Sequence, residues 1–164
     1  MSSSEVDGVA PIREAVTVRC GPERAFHVFT DQFGAWWPVE SYSRVVSELK
    51  DENVKTSGLE FQTRQGGSIL EYISDGRILP WGEVIDWSPP HRILLSWHPH
   101  SMPEPSTEVE VKFVAADGGT EVQVEHREWE VLSEAFRNAL YDVYVEGWPL
   151  TLRLFAAAAD RAAS

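Results

Sequence analysis

The chain of 164 residues has the length of a single domain, and its composition excludes several classes of function. Its formal net charge is −12, from 26 acidic and 14 basic side chains. We therefore expect no binding to nucleic acid or to an anionic membrane. The single cysteine, Cys20, excludes an internal disulfide bond and is typical of a cytoplasmic protein. No apolar run reaches the roughly 18 residues that a membrane-spanning helix needs.

The beginning of the chain predicts a disordered terminus, one strand and two short helices. Residues 1–10 are small and polar and are expected to be disordered, which leaves residues 11–164 as one domain. Apolar and polar side chains alternate over Ile12–Cys20, a pattern that predicts a half-buried strand. Proline suits the first turn of a short helix over Pro22–Phe29. A second helical turn is predicted over Asp31–Trp37, which Pro38 follows.

The middle of the chain has a strand pattern throughout. Glycine, proline, serine and aspartate separate its apolar runs, and such short connections favour an antiparallel meander. Six strands are predicted, at Leu59–Thr63, Ser68–Ile73, Trp81–Trp87, Ile93–His98, Thr107–Ala115 and Thr120–Trp129. In the last of these, the alternation places Val122, Val124 and His126 on the same face.

The last segment, Glu130–Ser164, has the apolar spacing of an amphipathic helix. Its apolar positions are Leu132, Phe136, Leu140, Val143, Trp148, Leu152, Phe155 and Ala159. Because proline lacks a backbone N–H, we expect a break or kink at Gly147–Pro149 and a second helical run to about Arg161. A sheet with one apolar face needs such a helix to cover it, so the pattern as a whole predicts an α+β domain.

Four segments of the chain resemble a known family, in the order in which that family has them. The segment Trp81–Trp97, WGEVIDWSPPHRILLSW, resembles a hairpin of the START-like, or SRPBCC, superfamily. The other three segments are Pro22–Phe26, Phe33–Pro38 and Gly147–Trp148. The branch that they resemble contains bacterial proteins related to the C-terminal domain of the heat-shock-90 ATPase activator. The resemblance covers nearly the whole chain, from about Ile12 to Ala159.

The resemblance implies a helix-grip fold: a curved, seven-stranded antiparallel sheet wrapped around a long C-terminal helix, with two short helices between strands 1 and 2. It also implies a cavity between sheet and helix that binds an apolar small molecule such as a lipid or polyketide. The family offers no shared catalytic motif and no cofactor, so we expect a binding protein and leave minor catalysis open. The alternative function is a co-chaperone-like adaptor that regulates a heat-shock-90-type ATPase. Its partner would then be a chaperone, and a homodimer is left open as well.

The candidate ligand-binding site consists of aromatic and polar side chains that should face this cavity. The candidates are Trp36, Trp37, Glu71, Trp81, Trp97, Phe113, His126, Trp148 and Phe155. His126 is either a polar contact for a ligand or a core histidine held by a neighbouring backbone group. Glu71 could pair with His126 or Arg64 if its face of the sheet is concave, and it is solvated if that face is convex.

A metal site is not predicted, although two histidines lie close together in the sequence. His98 and His100 flank Pro99, and Glu104 is the nearest possible third ligand. A zinc site needs three or four convergent ligands, and this proline-rich stretch is more typical of an exposed loop. The volume of the cavity separates the two main functions, because an enclosed, mostly apolar space of about 300 Å³ or more favours a ligand over an adaptor.

Overall fold

A computed structural model describes residues 9–163, which form an antiparallel sheet, a long C-terminal helix and several short helical segments. The strands are β1 (Ile12–Val18), β2 (Thr56–Phe61), β3 (Ser68–Ile73), β4 (Ile78–Ser88), β5 (Arg92–Trp97), β6 (Thr107–Ala116) and β7 (Gly119–Arg127). They lie in the order β1-β7-β6-β5-β4-β3-β2, and all neighbouring pairs are antiparallel. The disorder predicted for residues 1–10 falls mainly on residues 1–8, which lie outside the described residues.

The helices confirm the predicted helix-grip fold. The first two, α1 (Pro22–Thr30) and α2 (Phe33–Trp36), follow β1, and the long helix α3 (Glu134–Ala163) ends the described chain. Two further segments are short: a π-helical turn at Val45–Leu49 and a 3₁₀ turn at Trp129–Val131. In the part of the chain that the structure describes, no helix combines the length and apolarity needed to cross a membrane.

The strands follow the alternation of the sequence closely. β3 begins and ends where it was predicted, and β7 buries every second side chain, including Val122, Val124 and His126. Antiparallel pairing then brings His126 opposite Val109 of β6 and Ile12 of β1. Because these buried rows lie on the same face of the sheet, they create the apolar surface that the helices cover.

Of the break or kink predicted at Gly147–Pro149, the break is wrong, since α3 continues through Pro149. A proline inside a helix costs about 3 kcal/mol through a lost hydrogen bond and a steric clash. On either side of it, Trp148, Leu152 and Phe155 are fully buried. Burial of each large apolar side chain contributes about 1.5–3 kcal/mol, so together they outweigh the cost of the proline.

The core is an aromatic cluster in which α1 and α2 fill one end of the curved sheet. The ring centroid of Phe29 in α1 lies 5.1 Å from that of Trp36, 5.8 Å from that of Phe113 and 5.2 Å from that of Phe155. These contacts join both short helices, β6 and the C-terminal half of α3. The N-terminal half of α3 is less covered, because Phe136 and Leu140 are only half-buried and Val143 is 42% exposed. The two ends of the helix thus differ, and the less covered end is where a pocket forms.

Candidate functional site

A mostly apolar pocket of about 460 Å³ lies beside the N-terminal half of α3. Its walls come from α3, from the segment Ser41–Lys50 that contains the π-helical turn, and from the loop between β5 and β6. Its floor is formed by Trp37, Trp81 and Trp97, three of the predicted site residues.

A second depression, of about 560 Å³, lies on the outer face of the sheet and has a different character. Charged side chains of β1, β6 and β7 line it, among them Arg13, Lys112 and Glu125. Arg13 and Glu125 already pair with each other at 2.9 Å. Since ligand sites are usually concave, apolar and furnished with few polar groups, the pocket beside α3 is the better candidate.

The three floor tryptophans pack against one another. The ring centroid of Trp37 lies 5.4 Å from that of Trp81 and 6.1 Å from that of Trp97. Each indole N–H already has a partner within the protein: Trp37 donates to the Tyr42 carbonyl at 2.6 Å, Trp81 to Glu71 at 2.9 Å and Trp97 to the Tyr144 hydroxyl at 2.9 Å. Because these donors are occupied, the floor offers apolar aromatic contact rather than hydrogen bonds.

The side chain of Glu71 lies on the concave, buried face of the sheet and not on the solvated convex face. Its side chain is fully buried and accepts hydrogen bonds from the Trp81 indole at 2.9 Å, the Arg44 backbone N–H at 2.8 Å and the Thr56 hydroxyl at 2.6 Å. The anticipated partners His126 and Arg64 are not among these donors. Glu71 therefore lies behind the floor, where it holds Trp81 and the start of the π-helical turn in place.

A second carboxylate bridges two walls of the pocket. Glu48 accepts hydrogen bonds from the Arg44 guanidinium at 2.7 Å and from both the backbone N–H and the hydroxyl of Ser101. Burial raises the pKa of Glu48, but the hydrogen bonds from Ser101 and Arg44 outweigh it and hold that pKa below its usual value. The ionised carboxylate thus joins the π-helical turn to the loop between β5 and β6.

The two loop histidines stack on each other, with ring centroids 3.9 Å apart. His98 Nε2 donates to the backbone carbonyl of Glu104 at 2.7 Å, and His100 Nδ1 accepts from the Met102 N–H at 3.2 Å. The Glu104 carboxylate instead accepts from the backbone N–H and the hydroxyl of Ser133 at the start of α3. Within residues 9–163, no group of three or more His, Cys, Asp or Glu side chains is arranged to hold a metal ion.

His126 is fully buried and connects α3 to three strands of the sheet. Its Nδ1 accepts from the Trp148 indole at 3.1 Å, so the neutral ring carries its proton on Nε2, which donates to the Thr107 hydroxyl at 2.8 Å. That hydroxyl in turn donates to the Trp97 carbonyl at 3.4 Å. His126 does not line the pocket, and both of its ring nitrogens are engaged inside the protein. The arrangement corresponds to the core-histidine interpretation, although its partners are side chains rather than backbone groups.

The stability of the fold is expected to depend on pH through His126. Burial lowers its pKa from 6.5 to about 3, so between these values the unfolded chain binds a proton that the folded protein does not. Stability conferred by the neutral ring is therefore present above pH 6.5 and is lost as the pH falls toward 3. The free energy of unfolding should decrease by up to about 1.4 kcal/mol per pH unit from this group.

Urea unfolding of wild type and His126→Gln at a series of pH values measures this effect. The variant, which cannot titrate at this position, should show a shallower decrease on acidification. His91→Gln, at an exposed position on the turn between β4 and β5, is the control and should retain the wild-type slope. Equal slopes for wild type and His126→Gln would contradict the assignment.

The structure separates the nine predicted site residues into two groups. Trp37, Trp81 and Trp97 line the pocket, and the other six lie outside it: Trp36, Glu71, Phe113, His126, Trp148 and Phe155. Trp36, Phe113 and Phe155 all contact Phe29, because α1 occupies the interior of the sheet that the sequence analysis assigned to the cavity. Ligand binding by the three floor tryptophans remains a prediction.

Several pocket residues were missed by the sequence analysis, above all Tyr144 and His100. A signal for Tyr144 exists in the sequence, because Leu140, Tyr144 and Trp148 are spaced four residues apart on one helix face. The apolar pattern selected Val143 instead, since a tyrosine is less apolar than a valine. His100 was considered only as a metal ligand, and nothing local indicates that its loop folds over α3.

The antiparallel sheet, the long C-terminal helix laid against it and the pocket at their junction define a START-like helix-grip domain. The chain belongs to the family described as activator of Hsp90 ATPase homolog 1-like proteins, whose family model matches residues 19–160.

Three solved structures illustrate the relationship. The anthrahydroquino-gamma-pyrone synthase Txn09, solved in complex with SUM, is 29% identical over 92% of this chain and 97% of its own, with a TM-score of 0.59. A protein from Chromobacterium violaceum is 18% identical over 92% of this chain and 96% of its own, with a TM-score of 0.63. The Aha1 dimer from Colwellia psychrerythraea is 17% identical over 93% of this chain and 97% of its own, with a TM-score of 0.61. The last two show the fold alone. A search of curated proteins gave no match.

Proposed function

We propose that the protein binds an apolar, ring-containing small molecule in the pocket beside α3. The observation that carries the proposal is the partly open pocket of about 460 Å³, because it is mostly apolar and its volume lies within the range of about 300–1,000 Å³ that is usual for ligand sites. Trp37, Trp81 and Trp97 supply flat aromatic surface on one side. Phe136 and Leu140 of α3 add apolar contacts, so an apolar, ring-containing molecule fits the chemistry of the lining.

The pocket is also held in shape before any ligand arrives. Glu71 fixes the start of the π-helical turn, and Glu48 connects this turn to the loop that carries Ser101. Walls that are already ordered lose less conformational freedom on binding, which favours affinity. The similarity to Txn09 supports a ligand of this kind, since its name denotes a fused aromatic ring system. That similarity does not assign the same reaction to this chain.

The alternative is an adaptor that acts on a chaperone, either alone or as a dimer. The family description and the Aha1 dimer from Colwellia psychrerythraea support it, but the latter at 17% identity shows a shared fold only. The pocket has no necessary role in such an adaptor. An experiment that fills the pocket therefore separates the two functions.

The test is binding of fluorene, an apolar three-ring hydrocarbon, measured by equilibrium dialysis with wild type and two tryptophan variants. Leu140→Trp places a large ring in the pocket and should weaken binding at least about tenfold, because it occupies the ligand volume. Val145→Trp is the matched control on the same helix: Val145 is 41% exposed and outside the pocket lining, so binding should stay at the wild-type level.

Thermal unfolding of both variants checks that each is folded at the temperature of the binding measurement. Undetectable binding of fluorene by wild type would overturn the proposal, as would equal binding by wild type and Leu140→Trp. If the Leu140→Trp protein also stimulates a heat-shock-90-type ATPase as well as wild type does, the adaptor function is favoured instead.

A further inference from the structure

The hydroxyl of Tyr144 is a hydrogen-bond donor on a residue that lines the pocket. Its oxygen accepts the Trp97 indole N–H at 2.9 Å, and Tyr144 lines the pocket. Among the hydrogen bonds of residues 9–163, none has the Tyr144 O–H as its donor. A phenol can donate one hydrogen bond while it accepts another. The indole therefore uses the oxygen and leaves the proton for a partner in the pocket.

The position of this hydroxyl is set by the surrounding rings. The ring centroid of Tyr144 lies 4.9 Å from that of His126 and 5.8 Å from that of Trp129. It lies 6.3 Å from the centroids of both Trp97 and Trp148. Burial raises the pKa of Tyr144 to about 12, although the hydrogen bond from Trp97 lowers it. At neutral pH the group is thus a neutral O–H donor.

His100 supplies a second donor of the same kind. Its Nδ1 accepts the Met102 N–H at 3.2 Å, so the neutral ring carries its proton on Nε2. Burial, followed by the neighbouring His98, lowers the pKa of His100 to about 4 and keeps the ring neutral. No hydrogen bond from Nε2 is found in the described part of the chain, and the ring packs edge-on against Phe136 of the pocket wall, at 4.7 Å.

Tyr144 of α3 and His100 of the loop between β5 and β6 both line the pocket. Both also border a small void of about 10 Å³, which shares Trp97, Pro99 and Leu140 with the pocket lining. The carboxylate of the pocket, Glu48, is already bonded to Arg44 and Ser101. The pocket therefore contains two neutral donors in a lining that is mostly apolar but also includes Ser41, Ser47 and Lys50.

We propose that Tyr144 and His100 recognise a carbonyl oxygen on the apolar ligand, which makes aromatic ketones the ligand class of this pocket. A ketone oxygen only accepts hydrogen bonds, and its two lone pairs can take both donors. A hydrocarbon of the same shape leaves the two donors without partners when it excludes water, which is unfavourable. The inference rests on the proposed function and adds the chemical group that the site selects.

The test compares two probes of nearly the same shape, 9-fluorenone and fluorene, which differ in a carbonyl in place of a methylene group. Equilibrium dialysis gives the ratio of their dissociation constants. Wild type should bind 9-fluorenone about tenfold more tightly than fluorene, as expected for one or two net hydrogen bonds. Tyr144→Phe should reduce this preference about three- to tenfold and leave the affinity for fluorene nearly unchanged.

The matched control is Tyr141→Phe on the same helix, whose hydroxyl donates to the Ala10 carbonyl outside the pocket. It should retain the wild-type preference. His100→Leu should reduce the preference as Tyr144→Phe does. The infrared carbonyl band of bound 9-fluorenone provides a direct signature: it should lie at lower frequency in wild type than in Tyr144→Phe, because a hydrogen bond weakens the C=O bond.

These readouts separate recognition from a structural role of Tyr144. A loss of packing or of the Trp97 partner would weaken both probes equally and leave their ratio unchanged, which would overturn the inference. An unshifted carbonyl band in wild type would overturn it as well. If fluorene binds and Leu140→Trp blocks it, but the ratio is the same in wild type and Tyr144→Phe, the inference fails while the proposed function stands. If wild type does not bind fluorene, the proposed function fails, and the inference that rests on it fails as well.

Discussion

Replacing Trp148 with alanine is expected to lower the free energy of unfolding by about 3–5 kcal/mol. Trp148 is 2% exposed, and its ring lies 6.0 Å from that of Trp37 and 5.8 Å from that of Trp97. Truncation therefore removes a large buried apolar surface and leaves a cavity at the junction of helix and sheet. It also removes the N–H that His126 Nδ1 accepts, so a buried acceptor loses its partner.

Urea denaturation followed by circular dichroism measures the loss. Trp148→Phe keeps much of the ring volume but lacks the N–H. Its loss of unfolding free energy should therefore be smaller than that of Trp148→Ala, and it contains the contribution of the hydrogen bond to His126. Val145→Ala, on the exposed face of the same helix, should stay within about 0.5 kcal/mol of wild type. A loss of less than about 1 kcal/mol for Trp148→Ala would contradict the burial of this side chain.

Replacing Glu71 with alanine is expected to lower the free energy of unfolding by about 3 kcal/mol or more. Its carboxylate accepts three hydrogen bonds at a site with no solvent exposure. Removal leaves the Trp81 indole, the Arg44 N–H and the Thr56 hydroxyl without this acceptor. Each buried donor left unsatisfied costs about 1–3 kcal/mol.

Glu71→Gln provides the graded comparison. Its carbonyl oxygen retains part of the acceptor capacity, but its amide NH₂ group cannot accept, so the loss should be smaller than for alanine. Glu83→Ala on the neighbouring strand β4 is the control, since Glu83 is exposed and its replacement should change stability by less than about 0.5 kcal/mol. Because Glu71 also holds the start of the π-helical turn, Glu71→Gln should weaken fluorene binding by equilibrium dialysis. A stability loss below about 1 kcal/mol for Glu71→Ala would show that water replaces the carboxylate.

The order of the elements and most of their boundaries could be derived from the sequence alone. Alternation places Val122, Val124 and His126 on one face wherever the strand lies in the fold, since side chains of a strand point to opposite faces in turn. In the same way, helical spacing predicts the burial of Trp148, Leu152 and Phe155. Both patterns act between residues that are near in sequence, so they need no knowledge of the partner elements.

The long helix shows where this local reasoning ends. The preference of Pro149 against helix interiors predicts a break, and the structure has none. Tertiary burial of the flanking side chains decides the outcome, because it contributes more than the local cost of the proline. The same holds for Glu71, whose orientation depends on which face of the sheet is concave.

The pocket was decided entirely by tertiary structure. The Trp97–Tyr144 hydrogen bond joins residues 47 positions apart, and the bond from Arg44 to Glu71 joins residues 27 apart. Whether His126 meets a ligand or a tryptophan of α3 depends on how α3 lies across β7, and no local pattern encodes this. The sequence by itself therefore determined the order of the elements and the faces on which their apolar side chains gather. The tertiary structure decided which part of that interior α1 and α2 fill and which part stays open, because volume is left only where the packed elements do not meet.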